Sequence, residues 1–171
     1  ASYSYNDKYF LTLSLRADGS SKFAPENRWG YFPAGSFMWR VSSEPFMEGL
    51  SSTFNDLKFR VSYGTSGNNR IDDYLYLSTF DPSGFYSINN TQVLGFSSTE
   101  LANANLKWEA IIARNIGLDA SFFQGRLQTS VDFYYNSSKE LLLNRVIPPT
   151  SGYPSQTQNI GETLNKGIEL Q

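Results

Sequence analysis

The chain is predicted to be all-β, a stretch of a large antiparallel transmembrane β-barrel, on three observations. Residues 9–18 alternate: Tyr9, Leu11, Leu13, Leu15 and Ala17 fall on one face, and Phe10, Thr12, Ser14, Arg16 and Asp18 on the other. Successive strand side chains point to opposite sides, so this segment has one greasy and one mostly wet surface. Its length suits a tilted membrane-crossing strand of about 9–11 residues better than a globular strand of about 5–6. The pattern then recurs along the chain, and the connections between its copies sort by length, tight on one side and long on the other, as periplasmic turns and extracellular loops do.

Taken in order, the polar turn Tyr5-Asn6-Asp7-Lys8 leads into the strand at 9–18. Gly19-Ser20-Ser21 opens a loop that reaches Trp29-Gly30. A second strand is expected over 31–42, with Tyr31, Phe37, Trp39 and Val41 on one face; Phe32 and Met38 loosen its alternation, and Pro33 and Gly35 weaken its start. The connection 43–56 contains Glu44-Pro45-Phe46-Met47 and reads as a short helical turn, long for a connection on the short side. The third strand, 57–64, sets Leu57, Phe59, Val61 and Tyr63 against Lys58, Arg60, Ser62 and Gly64. Residues 67–107, rich in Asn, Ser, Asp and Gly, read as one long irregular loop, a length usually tied to function. The fourth strand, 108–122, carries Ile116, Leu118, Ala120 and Phe122 on one face, and Phe123-Gln124-Gly125-Arg126 makes a tight hairpin. The fifth, 127–136, sets Leu127, Thr129, Val131, Phe133 and Tyr135 against Gln128, Ser130, Asp132, Tyr134 and Asn136. After a loop containing Pro148-Pro149 and Ser151-Gly152, a sixth strand starts near Gly167.

Alternation by itself also suits a soluble antiparallel sandwich, which likewise buries one face and wets the other. The length of the strands favours the membrane, as does the gathering of aromatics near strand ends (Tyr9 and Phe10, Tyr31 and Phe32, Phe122 and Phe123, Phe133 to Tyr135), where membrane–water belts place them. The chain begins and ends within the pattern, so it is expected to be an internal piece of a longer polypeptide.

Composition narrows the chemistry. Of 171 residues, 18% are charged, below the roughly 25% of soluble domains, and 16% are aromatic. The net charge of −2 makes no electrostatic case for nucleic acid. With neither cysteine nor histidine, disulfides, thiolate metal sites and His-based triads are excluded from these residues. No phosphate-binding glycine motif occurs. No apolar run approaches the roughly 18 residues of a transmembrane helix, and the mean hydropathy of −0.39 is uninformative because barrel strands alternate. Asp72-Asp73 is the densest carboxylate pair and reads as solvated loop, since adjacent residues do not face one reaction centre. Asn89-Asn90-Thr91 and Asn136-Ser137-Ser138 fit the glycosylation sequon, which means little in a bacterial protein. No catalytic, cofactor or metal residues are assigned, and the chain is not expected to be an enzyme. Loop aromatics and polar residues can stack on and hydrogen-bond a sugar or peptide, and the candidates are Trp29, Asn68, Asn69, Arg70, Asp72, Tyr74 and Tyr86, with Tyr76, Phe85 and Tyr153 nearby. The competing reading is that such aromatics only pack the loops.

Several segments resemble the SusC/RagA family of TonB-linked outer-membrane transporters: Tyr5-Asn6-Asp7-Lys8-Tyr9, Ser14-Leu15-Arg16-Ala17-Asp18-Gly19-Ser20-Ser21-Lys22-Phe23, Asn27-Arg28-Trp29-Gly30-Tyr31-Phe32-Pro33, and Trp39-Arg40-Val41-Ser42-Ser43-Glu44-Pro45-Phe46. So do Leu57 to Asn68, Leu106-Lys107-Trp108-Glu109, Asn115-Ile116-Gly117-Leu118-Asp119, Val131-Asp132-Phe133-Tyr134-Tyr135, Pro148-Pro149-Thr150-Ser151-Gly152, Gln158-Asn159-Ile160-Gly161 and Asn165-Lys166-Gly167-Ile168-Glu169-Leu170. The resemblance covers nearly the whole chain in order. It implies that residues 1–171 are a partial barrel domain, about six strands of a 22-stranded wall whose plug domain and TonB box lie outside this chain. It also implies a multi-pass location in the bacterial outer membrane, a SusD-like surface lipoprotein as lid, energy from TonB–ExbB–ExbD through the plug, glycan or oligopeptide cargo, and a dimer of transporter–lid pairs. The long 43–56 connection fits the same pattern. The alternatives left open are a soluble carbohydrate-binding or adhesin β-sandwich, a barrel enzyme and a plain diffusion porin.

Overall fold

The structure is a computed structural model that describes residues 1–51, 53–98 and 100–171. One antiparallel sheet dominates, built in chain order from β1 (Ser2–Tyr5), β2 (Tyr9–Gly19), β3 (Trp29–Arg40), β4 (Phe54–Asn68), β7 (Glu109–Phe122), β8 (Leu127–Lys139) and β11 (Glu162–Leu170). Two small hairpins stand apart from it, β5 (Asp81–Ile88) with β6 (Thr91–Ser97), and β9 (Leu142–Val146) with β10 (Ser155–Asn159). Each main strand pairs only with its sequence neighbours in the sheet, the up-and-down order of a barrel wall. No described helix is long and apolar enough to cross a membrane, which says nothing about crossing by strands.

Register carries the alternation from strand to strand. One rung runs Tyr3, Leu11, Phe37, Val61, Ile116, Phe133, Ile168, apolar in all seven strands. The next rung but one, Tyr5, Tyr9, Trp39, Phe59, Leu118, Val131, Leu170, is apolar throughout as well. The rung between them faces the other way and is mixed, with Ser4, Phe10 and Met38 on β1 to β3 and then Arg60, Gly117, Asp132 and Glu169. A slip of one residue in β4, β8 or β11 would put a charge into the oily rungs, so register and sidedness specify each other there.

The apolar face has no cover. Leu13, Leu15, Ile116, Phe133 and Ile168 are all more than 45% exposed. A contiguous oily surface of this extent marks an interaction surface. The buried core is small and lies mostly at the long-loop end, where Phe23 and Leu106 are fully buried and Phe32 nearly so; Met47 is buried at the other end. The ring of Trp108 packs on Phe23 at 5.4 Å and on Phe32 at 5.6 Å. Gly30 and Gly67 make this possible, because the Phe32 ring occupies the space their Cβ atoms would need.

At the opposite end the turns are tight. Asn6 and Asp7 both take positive φ, and Phe123, Gln124 and Gly125 do the same in the β7–β8 hairpin. The third connection at this end is ordered by two 3₁₀ segments, Val41–Ser43 and Pro45–Leu50, which accommodates its extra length.

The wall differs from the sequence expectation at several points: β3 closes at Arg40 rather than at residue 42, because Val41–Ser43 turns into a 3₁₀ segment, and the loop after β8 holds the β9–β10 hairpin. The wall has seven strands rather than about six, because Ser2–Tyr5 pairs with β2. The third strand runs on past Gly64 through Thr65-Ser66-Gly67-Asn68, a stretch dominated by poor strand formers, because it pairs with residues from Glu109 to Ile112. The region 67–107 is not wholly irregular: it holds the β5–β6 hairpin, whose Pro82 and Gly84 disguise it and whose Asn89-Asn90 turn takes positive φ at both residues. The last strand begins at Glu162 rather than near Gly167, since Glu162 to Lys166 pair with β8. Pro33 does not break β3. It lies opposite Leu15, and the ladder from β3 to β4 stops one residue away at Ala34, where proline's missing N–H costs least.

Candidate functional site

The charged face gathers its groups over three strands. Arg60 on β4 makes a two-pronged contact with Asp119 on β7, Nε to Oδ2 at 2.7 Å and Nη2 to Oδ1 at 2.8 Å, and Nη2 also reaches Asp132 Oδ2 on β8 at 3.1 Å. That guanidinium spans a whole intervening strand. It does so because Gly117 sits between Arg60 and Asp132 in the register, and a Cβ there would run into both side chains. Toward the turns, Lys58 Nζ contacts Asp56 Oδ2 at 2.6 Å, and Ser42 Oγ donates to Asp56 Oδ1 at 3.1 Å. Asp56, Lys58, Asp119, Ser121, Gln128 and Ser130 line an open hollow of about 550 Å³ on this side. A polar, open hollow of this kind suits a lumen better than a lipid contact.

The short-turn end is held by one carboxylate. Glu44 accepts hydrogen bonds from Tyr9 Oη at 2.6 Å, Trp39 Nε1 at 3.0 Å and Lys8 Nζ at 3.1 Å. The Tyr9 hydroxyl first, then the Trp39 indole, holds the Glu44 carboxyl below the usual glutamate range, against the opposing effect of burial. Around it Tyr5, Tyr9, Trp39 and Phe46 form a chain of ring contacts with centroids 6.3–6.5 Å apart. Phe54 and Phe122 continue the band, 4.9 Å apart. This is an aromatic girdle with a polar pin at its edge.

At the other end three loops form one cap. Thr157 donates from both its N–H and its hydroxyl to Glu100 Oε1, and Asn103 Nδ2 donates to Thr157 O at 2.9 Å. Asn159 bonds the backbone of Lys107 in both directions and also donates to Glu140 O. Lys22 Nζ donates to Ile71 O at 2.5 Å, and Trp108 Nε1 donates to Arg28 O at 3.2 Å. Side-chain amides joined to backbone carbonyls give irregular loops the hydrogen bonds that a ladder would otherwise supply.

The candidate contact residues are scattered over this cap. Asn68 and Asn69 are committed to its structure: Asn68 Oδ1 accepts the Arg70 N–H at 3.1 Å, and Asn69 Nδ2 donates to Ser20 Oγ at 3.1 Å. Trp29 opens β3, is 61% exposed, and lays its ring over Gly19. Arg70 and Asp72 are exposed; Tyr74 is exposed with positive φ, and Tyr86 is exposed on β5. The open hollow beside Lys58 and Asp119 is lined by none of these seven. Asp73, next to Asp72, pairs with Lys22 at 3.7 Å, as a solvated loop acid does. The Glu44 pin and the Gly117 gap were missed in the sequence, where a Glu-Pro dipeptide and an isolated strand glycine are weak signals; the glycine rule for close approach was the available clue.

The whole chain, residues 1–171, matches the family model described as TonB dependent receptor-like, beta-barrel. It is 41% identical over 168 residues to TonB-dependent receptor P3 of Formosa agariphila, covering 98% of this chain and 17% of that protein. It is 35% identical over 172 residues to TonB-dependent receptor SusC of Bacteroides thetaiotaomicron, covering 98% of this chain and 17% of SusC. Among solved structures it superposes on the RagAB peptide importer in its closed-closed state with a TM-score of 0.86 at 31% identity, covering 99% of this chain and 18% of that one. The chain thus spans about a sixth of the length of the relatives it matches.

Proposed function

Because the chain belongs to the TonB-dependent receptor-like β-barrel family, we propose that it forms seven wall strands of an outer-membrane active transporter that imports glycans or oligopeptides. Residues 1–171 act as a partial barrel domain. The observation that carries this reading is the pair of rungs that stay apolar across all seven strands, while the rung between them, on the opposite face, carries charges on β4, β8 and β11. Lipid meets the first face, and the lumen, filled by a plug from the same polypeptide, meets the second. The Arg60–Asp119–Asp132 cluster offers that plug a fixed, charged surface with both signs present.

A SusD-like surface lipoprotein closes the long-loop end, and TonB–ExbB–ExbD supplies energy through the plug. Likeness to SusC and to the RagAB peptide importer supports this partnership, and the second likeness supports the peptide class of cargo. Within the cap, Trp29, Arg70, Asp72, Tyr74 and Tyr86 are the residues free to meet cargo, while Asn68 and Asn69 set the loop that presents them. A dimer of transporter–lid pairs completes the assembly.

Uptake by cells carrying the full-length transporter tests the proposal. Labelled oligosaccharide or oligopeptide should accumulate inside the cells and should stop accumulating when TonB is deleted or the proton gradient is dissipated. Entry that persists without either would make the protein a diffusion porin instead.

A further inference from the structure

The oily face carries an irregularity that transport does not use. In the rung Leu13, Gly35, Tyr63, Arg114, an arginine occupies a position on the same face as Ile116 and Leu118. Its guanidinium lies over Tyr63 on one side, at 5.8 Å, and over Tyr135 on the other, at 5.4 Å. Lys166 is the register partner of Tyr135, so two cations flank one tyrosine on the outward surface. Neither has a carboxylate partner among the described residues, and the buried Nη1 of Arg114 has no acceptor there. The contrast lies further up the same strands, where Lys139 and Glu162, also register partners, neutralise each other at 3.5 Å.

Unpaired cations facing hydrocarbon are costly at midplane and cheap only near the interface. Tyr63 and Tyr135, each about 45% exposed, mark that interface level. Arg114 and Tyr135 both lie in the halves of β7 and β8 nearer the long loops. We propose that Arg114 and Lys166 form a binding site for the phosphate of an anionic lipid in the leaflet on the long-loop side. The acyl chains lie against the rung just below, over Ile116, Phe133 and Ile168. Charge complementarity sets the headgroup, and the apolar rung beneath it requires that the phosphate carry hydrocarbon. A planar guanidinium held between two rings presents its remaining N–H groups in a fixed plane, and Lys166 adds a point charge beside it.

This inference rests on the lipid-facing assignment, so the test separates the two. The full-length transporter in detergent is titrated with lipid A and with dephosphorylated lipid A, and bound lipid is read by native mass spectrometry. A nitroxide at Ile168→Cys in lipid vesicles reports contact with hydrocarbon. Binding should require phosphate and should weaken roughly fivefold in Lys166→Gln and about 30-fold when Arg114→Gln is added, about one such factor per cation. Lys139→Gln should bind as the wild type does. Equal binding of the two lipids, or unchanged binding in Lys166→Gln, overturns the lipid site; the single variant, altering an exposed side chain that makes no hydrogen bond or ion pair among the described residues, keeps the test open if the double variant misfolds. A nitroxide exposed to water instead of hydrocarbon overturns the facing assignment together with the site.

Discussion

At the scale of single residues, two positions do more than their types suggest. Gly117 is a gap that lets Arg60 bridge two carboxylates on different strands. Gly117→Val should break that bridge and overpack the rung, costing about 1–3 kcal/mol, whereas Gly64→Ala, with only ordinary contact at the Ala34 Cβ, should be mild. Thermal unfolding of the full-length transporter in detergent reads both, and equal effects would remove the special role of Gly117. Glu44 is the second position. Its folded pKa is lowered, so its stabilisation is present above the unfolded value of about 4.3 and fades as pH falls through the folded value. Glu44→Gln should therefore lower the melting temperature at pH 7, and the gap from wild type should close as the solution is acidified below about pH 4. A gap that stays constant down to pH 3 would show that the hydrogen bonds, and not the charge, carry the effect.

At the scale of elements, strand faces are the testable unit. Leu13 stands on the oily face and Ser14 on the wet one. Leu13→Arg should impair assembly by about 2–4 kcal/mol, while Ser14→Arg should be far milder. Heat-modifiable migration of the membrane-extracted transporter compares them, and equal damage would undercut the facing. The same elements show what could be read in advance. The clean alternation of 57–64 and 127–136 located β4 and β8 because two-residue periodicity is a local property. The far end of β4 was illegible, since Ser66, Gly67 and Asn68 are strand residues only by virtue of their partners on β7. The β5–β6 hairpin was hidden by Pro82 and by a register shift beside it. In the cap, the type of residue was readable but its commitment was not. Asn68 and Asn69 looked like ligand contacts; the Asn68 amide oxygen closes a local turn on the Arg70 N–H, and the Asn69 amide is spent on Ser20 in a loop distant in sequence.

At the scale of the whole molecule, the sheet has two open edges, β1 and β11, and an uncovered oily face. Edges in lipid would leave backbone groups unsatisfied, so the 171 residues alone should aggregate when expressed without the rest of the wall. A monodisperse soluble monomer in plain buffer would contradict the barrel. The most direct test of the central claim is an accessibility scan along β8, with nitroxides placed one at a time from Ser130 to Tyr135 in the full-length transporter in bilayers. Val131, Phe133 and Tyr135 should collide with oxygen dissolved in the hydrocarbon, and Ser130, Asp132 and Tyr134 should not. Loss of that two-residue period, or its inversion, would show that these leucine- and phenylalanine-bearing rungs do not face the membrane.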